Sequence, residues 1–317
     1  MPASAPPVDT ELASMVDPGI LHLALTHDAV RSQRALTAAP PTLDELRCDG
    51  AFVIEEHRAS VHGGAPDVPV LVCRPAATVG RLPILFFLHG GGPVAGHARH
   101  SLGHLLRMAR EVSAAVVCVE YRPALDRPYP AASEDCPTAL SWLADRTQGL
   151  GVDAGRIVLI GRGGGGALAG GLSLRLRDRL DLRPLGQMLL SPVLDDRTGT
   201  AAACRLFDGS GSTARTDRAA WPHVRGERRG TPEVSAHAAP ARAEDLSGLP
   251  PLHLEVGALE VLRDEVVRPH PPLSGTPAAT PNCTSGPALS TASTSWPPAA
   301  ALSVMPAPPG SSGCDAC

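Results

Sequence analysis

Lysine is absent from these 317 residues, so all 28 basic side chains are arginine. Its absence excludes a P-loop, whose glycines lead into a lysine that reaches the nucleotide phosphates. Lysine codons are AT-rich and most arginine codons are GC-rich, so a GC-rich gene is expected. No apolar run reaches the ~18 residues that a membrane-spanning helix needs. The opening stretch lacks a basic segment followed by an apolar one, so no secretory signal is expected. The net charge of −4 offers no basic field for nucleic acid, and a neutral or weakly charged small-molecule substrate suits it better. Cys73 and Cys118 lie inside apolar runs and read as buried structural thiols, which fits a cytoplasmic location.

Short apolar runs alternate with helical patterns through the middle of the chain. "AFVIEEHRA" and "VPVLVCRP" alternate as paired strands do. "LPILFFLHG", "AAVVCVEYR", "GRIVLIG", "PLGQMLLSP" and "PPLHLEVGA" are near-continuous apolar runs, as in strands buried on both faces. "SLGHLLRMAREV" and "EDCPTALSWLADRT" carry a helical period between them. This alternation predicts an α/β fold with a mostly parallel central sheet flanked by helices. Residues 1–45 read as helices and turns, with "PGILHLALTHDAVRSQRAL" the best helical pattern. Residues 195–248 are polar and arginine-rich. They read either as part of a lid over a site or as a surface excursion. Beyond Arg268 the chain turns to Pro, Ala, Ser and Thr, with Asp315 its one charged residue, and reads as a disordered tail.

"RIVLIGRGGGGALAGGL", residues 156–172, poses the functional question. Gly161, Gly163 and Gly166 spell G-x-G-x-x-G, the dinucleotide fingerprint. That site needs an acidic residue about 20 positions on, at the end of the next strand. Asp181 has the spacing, but it sits in "RLRDRLDLRP", which reads as a helix end and loop. The alternative is a strand–turn–helix that presents a nucleophile as G-x-S-x-G.

Three further stretches decide between these readings. "FLHGGG" ends in His89, Gly90, Gly91 and Gly92 directly after a buried run. "YRPALDRPYPAASEDC" spans residues 121–136, and "LPPLHLEVGALEVLRDE" follows later. Taken in order, they resemble the hormone-sensitive-lipase-like family of α/β-hydrolases (α/β-hydrolase fold 3), with its H-G-G-G and G-(D/E)-S-A-G-G motifs. The resemblance runs from about residue 50 to residue 268. It implies the α/β-hydrolase fold with a small helical cap over a core at 46–268. The cap would be made by residues 1–45, with 195–245 as a second cap segment. It also implies carboxylic ester hydrolysis by a Ser-His-acid triad, a small ester substrate, and no metal or cofactor. A homodimer is compatible with it. The backbone N–H groups of Gly91, Gly92 and Gly164 would form the oxyanion hole. Glu260 falls at the triad-acid position. Asp135, Asp264 and Glu265 would be structural.

In this chain the nucleophile motif reads Gly161-Arg162-Gly163-Gly164-Gly165-Gly166. Gly163 stands where the family has serine, and it carries no oxygen to acylate. Ser173 lies about three helical turns beyond and cannot substitute. The family's histidine motif is also missing after Glu260, since His270 comes far too early. Back-translated with GC-rich codons and read one base earlier, Asn282–Pro297 becomes E-L-H-V-W-P-G-A-F-H-G-F-D-E-L-A. That is the family's last strand and histidine motif in order. Residues 269–317 therefore read as an out-of-frame tail, with the frame lost near Arg268. The lost histidine codon straddles Ser290 and Thr291. The last strand and its helix are then missing from this chain, and the expected copy is a disabled hydrolase. A ligand-binding relative that has lost its catalytic groups is the alternative.

Overall fold

The computed structural model describes residues 39–60, 67–91, 96–179, 182–197, 228–257 and 262–267. The tail at 269–317, most of the proposed cap at 1–45 and the stretch 198–227 lie outside the described residues.

Among the described residues seven strands form one sheet in the order β1-β2-β4-β3-β5-β6-β7. They are β1 (Phe52–Ala59), β2 (Val68–Pro75), β3 (Leu82–Leu88), β4 (Ala115–Val119), β5 (Val152–Arg162), β6 (Gly186–Leu190) and β7 (Leu252–Glu255). β1 and β2 pair antiparallel, as their alternating pattern predicts, and β2 pairs antiparallel with β4. All other pairings are parallel. Among the described residues β7 forms the far edge and pairs with β6 alone.

Helices cover both faces. Among the described residues the α-helices are α1 (Leu43–Leu46), α2 (Leu102–Glu111), α3 (Ala131–Asp145), α4 (Thr147–Leu150), α5 (Gly164–Arg179) and α6 (Arg263–Val267). The period-2 geometry of a strand sends alternate side chains to opposite faces. Ile84, Phe86 and Leu88 of β3 enter the core shared with α3 and α5, while Leu85 and Phe87 enter the core beneath α2. All five are fully buried, which is why β3 reads as an unbroken apolar run. Each such side chain stabilises the fold by about 1.5–3 kcal/mol. Helix α1 is closed by a capping box, in which the Thr42 hydroxyl accepts from the Glu45 N–H and the Glu45 carboxylate accepts from the Thr42 N–H. Its Leu46 packs into the α2-side core, so a boundary drawn at residue 45 falls inside a helix that belongs to the core.

Polar clamps fix the connections. Asp135 is buried and accepts from the Arg122 backbone N–H (2.8 Å), Nε (2.9 Å) and Nη2 (2.7 Å), which ties the loop after β4 to α3. Pro137 has no N–H for the Ser133 carbonyl one turn earlier, and Arg175 of α5 donates to that carbonyl instead (3.3 Å). Asp196 is fully buried and accepts from the Gly230 N–H and the Arg242 guanidinium. This bond set fastens residues 228–242 to the loop after β6. Buried Glu265 accepts from the Leu194 N–H (2.9 Å) and ties α6 to the same loop. Among the described residues no helix is long and apolar enough to cross a membrane.

The clamps differ in weight. Asp135→Ala leaves the Arg122 guanidinium without its buried partner and should lower unfolding free energy by about 1–3 kcal/mol in urea titrations. Asp264→Ala removes a partly exposed pair with the adjacent Arg263 and should cost less than Asp135→Ala.

Candidate active site

The chain leaves β3 toward β4 on one side and later returns as β5 on the other. β3 therefore sits at the point where the winding reverses, with Leu88 opposite Val119 on one flank and opposite Gly161 on the other. In parallel α/β sheets this reversal opens a crevice beyond the carboxyl ends of the strands. The glycine turn after β3 and the glycine turn after β5 both meet there.

The second turn is very tight. Helix α5 starts immediately after Gly163, so its first turn lies against the ends of β3 and β5. A side chain on Gly161 would collide with the Gly165 carbonyl, and one on Gly165 with the Leu88 carbonyl. Gly163 differs from both. Its φ is +52°, in the left-handed region, and a Cβ placed on it meets nothing within 4 Å. Its N–H donates to the Leu190 carbonyl (2.9 Å), and its carbonyl accepts from Gly166 (2.9 Å) and Val193 (3.1 Å). The backbone thus aims position 163 into open space from a tight, well-bonded left-handed turn, the geometry of a nucleophile elbow. Gly164 and Gly165 open α5, so their N–H groups are among those a helix leaves without an internal acceptor. Ser173 lies deep in α5, buried and with no hydrogen-bond partner for its hydroxyl.

The first turn is held by its neighbours. His89 is buried, its Nδ1 donates to the Gly90 carbonyl (2.9 Å), and its ring stacks on Tyr121 at 4.2 Å. Burial pushes the His89 imidazole down to about 4, so it is neutral over the usual pH range. Gly91 has φ +115°, a conformation open to glycine. Gly92 lies outside the described residues. Arg162, the last residue of β5, runs beside Gly90, where a Cβ would stand 3.3 Å from Arg162 Cγ. It places a cation where the family motif has an acid. Burial first, and then Arg107 and Arg162, hold the nearby His104 imidazole below its usual value.

The described structure therefore brings together His89, Gly90, Gly91, Gly161, Gly163 and Gly164. It leaves Glu260, Asp181, His270, Ser290 and Thr291 outside the described residues. Among the described residues no cluster of three or more His, Cys, Asp or Glu could hold a metal ion. Glu120 was not singled out by motif. It follows β4 directly, adjoins the quoted Tyr121-Arg122 pair, and accepts from the Ala98 N–H at 2.9 Å.

Comparison with known proteins agrees with this geometry. Residues 85–274 match a family model described as an alpha/beta hydrolase fold. The chain is 30% identical over 254 residues to Carboxylesterase NlhH of Mycobacterium tuberculosis, covering 73% of this chain and 71% of that one. It is 30% identical over 209 residues to Esterase LipI of the same organism, of whose length it spans 58%. Among solved structures, Bacterial Heroin Esterase superposes with a TM-score of 0.73 at 33% identity, covering 82% of each chain. The Pyrobaculum calidifontis esterase superposes at 0.67 with 27% identity, covering 82% of this chain and 83% of that one. The chain belongs to the α/β-hydrolase fold-3 family of carboxylesterase- and lipase-like hydrolases.

Proposed function

We propose that this chain is the scaffold of a carboxylic ester hydrolase that binds small esters but does not turn them over, because its nucleophile position is Gly163. The observation that carries the reading is the elbow itself. Its backbone takes φ +52°, which glycine adopts freely, and it is open in front, yet the side chain that would use this geometry is absent. In a relative with serine at this position, the hydroxyl attacks the ester carbonyl. The N–H groups of Gly91, Gly92 and Gly164 receive the developing oxyanion, and a histidine oriented by Glu260 moves the proton. The oxyanion donors are backbone groups, so substitution of the serine leaves them in place. The histidine is supplied by the other reading frame of the tail and is lost here with the last strand.

A second reading is a ligand-binding protein that uses the same crevice without chemistry. The open space in front of Gly163 favours it, since a bound carbonyl would meet no competing side chain. The two readings differ in what repair does. A phosphonate ester labels only a chain with an activated serine.

Gly163→Ser alone should leave p-nitrophenyl butyrate hydrolysis at background, because no base is present. Placing serine at φ +52° should cost about 1–2 kcal/mol of stability, readable in thermal or urea unfolding. Gly163→Ser combined with the restored C-terminal frame should raise hydrolysis by roughly 10⁴-fold or more and take up the phosphonate label. A folded, doubly repaired protein that neither hydrolyses nor labels would defeat the hydrolase reading and leave ligand binding.

A further inference from the structure

We propose that the outer edge of β7 docks a second copy of this chain, paired antiparallel about a two-fold axis at Leu254, so that one sheet runs through the dimer. Among the described residues β7 is the last strand and pairs with β6 alone. The Pro251 carbonyl accepts from the Gln187 N–H (2.8 Å), and the Glu255 carbonyl accepts from the Ser191 N–H (2.7 Å). These residues therefore turn their backbone toward β6, and His253 between them does the same. Backbone groups alternate sides along an extended strand, so Leu252 and Leu254 aim their N–H and C=O away from β6. A row of such groups is a template for another strand.

The sequence selects its own copy as that strand. "LHLEV", residues 252–256, is complementary to its own reverse about Leu254. In that register Leu254 and the partner's Leu254 form a hydrogen-bonded pair, each N–H donating to the other's carbonyl. Leu252 and the partner's Val256 form the next such pair. His253 then falls opposite the partner's Glu255, and Glu255 opposite the partner's His253. Both are non-hydrogen-bonded positions, where side chains approach most closely and opposite charges stabilise. The two neighbouring registers set Glu255 against the partner's Glu255, or His253 against the partner's His253, and lose both pairs. The symmetric contact is closed, so it stops at a dimer.

The two faces of β7 suit this pairing. Leu252, Leu254 and Val256 pack with Leu262 and Val266 in the core shared with α3 and α5, so the copies join apolar layer to apolar layer. His253 and Glu255 lie on the other face, beside their register partners Met188 and Leu190. His253 Nε2 and Glu255 Oε2 are buried, have no hydrogen-bond partner and stand 3.9 Å apart, too far to bond each other. The partner's Glu255 and His253 supply the missing acceptor and donor. The availability of this edge rests on the proposed loss of the last strand, whereas the match of "LHLEV" to its reverse does not.

The test uses the full chain as it stands. Sedimentation across a dilution series at low salt should show a monomer–dimer equilibrium. His253→Glu sets acid against acid at both symmetry-related pairs, and Glu255→Arg sets base against base. Each should raise the dimer dissociation constant about tenfold or more. An equal mixture of the two variants again places an acid opposite a base in both pairs. It should form a mixed dimer with affinity within about threefold of the native chain. Rescue on mixing separates pairing between copies from damage to folding, because one misfolded chain does not mend another. Amide exchange reads the same edge without substitution. The Leu254 N–H should be protected in the dimer and lose protection on dilution, while the inward His253 N–H stays protected. A chain that is monomeric at every concentration, variants that associate as the native chain does, or Leu254 exchange that ignores dilution would overturn the proposal. None of these results touches the hydrolase reading, which the phosphonate label decides. Restoring the C-terminal frame should return the last strand to β7 and abolish the charge-dependent dimer. A frame-restored chain that still dimerises through the same pairs upholds the pairing and defeats the proposed place of the last strand.

Discussion

The contact on which the site depends is the approach of the first turn of α5 to the end of β3. A side chain at Gly165 would strike the Leu88 carbonyl, and one at Gly161 would strike Gly165. This backbone-on-backbone packing sets the elbow beside the glycine turn that follows β3. It also forces the chain at Gly163 into a left-handed turn. Glycines at 161 and 165 are thus needed for the geometry, whereas Gly163, with open space in front of it, is not required by packing.

Around that contact the fold is a set of clamps that place polar backbone with carboxylates. Buried Asp135 holds the loop after β4, buried Asp196 and Glu265 hold the loop after β6, and half-buried Glu120 and the Tyr121 hydroxyl bond Ala98 and His89 beyond β3. Each buried acid accepts a backbone N–H, which leaves little freedom in the loops that line the crevice. Arg162 is the exception to family chemistry here. It brings a cation beside Gly90 and His104 where the family carries an acid.

The central strands were legible in the sequence because they are buried on both faces and appear as near-continuous apolar runs, and β1 and β2 were legible from their alternation. Boundaries were less so. The helical pattern read from Glu134 begins in the structure at Ala131, because two alanines after Pro130 extend the first turn. β5 starts at Val152, three residues before the apolar run, since Asp153 interrupts the apolar pattern while Val152 pairs with Leu82 at the sheet's end. The tight turn after β5 was legible from its glycine spacing, and the proposed loss at position 163 is a reading of side-chain chemistry alone. Glu120 was not legible, because His89 and Ala98 lie 31 and 22 residues away in sequence and meet it only through the β3–β4 pairing. The acid at position 260 and the whole tail remain readings of sequence.

The central claim is that an esterase fold has lost its nucleophile and its last reading frame. Sequencing the gene from codon 155 past codon 300 tests it most directly. The account predicts that the bases of codons 282–297, read one base earlier, spell Glu-Leu-His-Val-Trp-Pro-Gly-Ala-Phe-His-Gly-Phe, downstream of a glycine codon at 163. Codons that spell no such motif in any frame would contradict it and make the tail an authentic C-terminus.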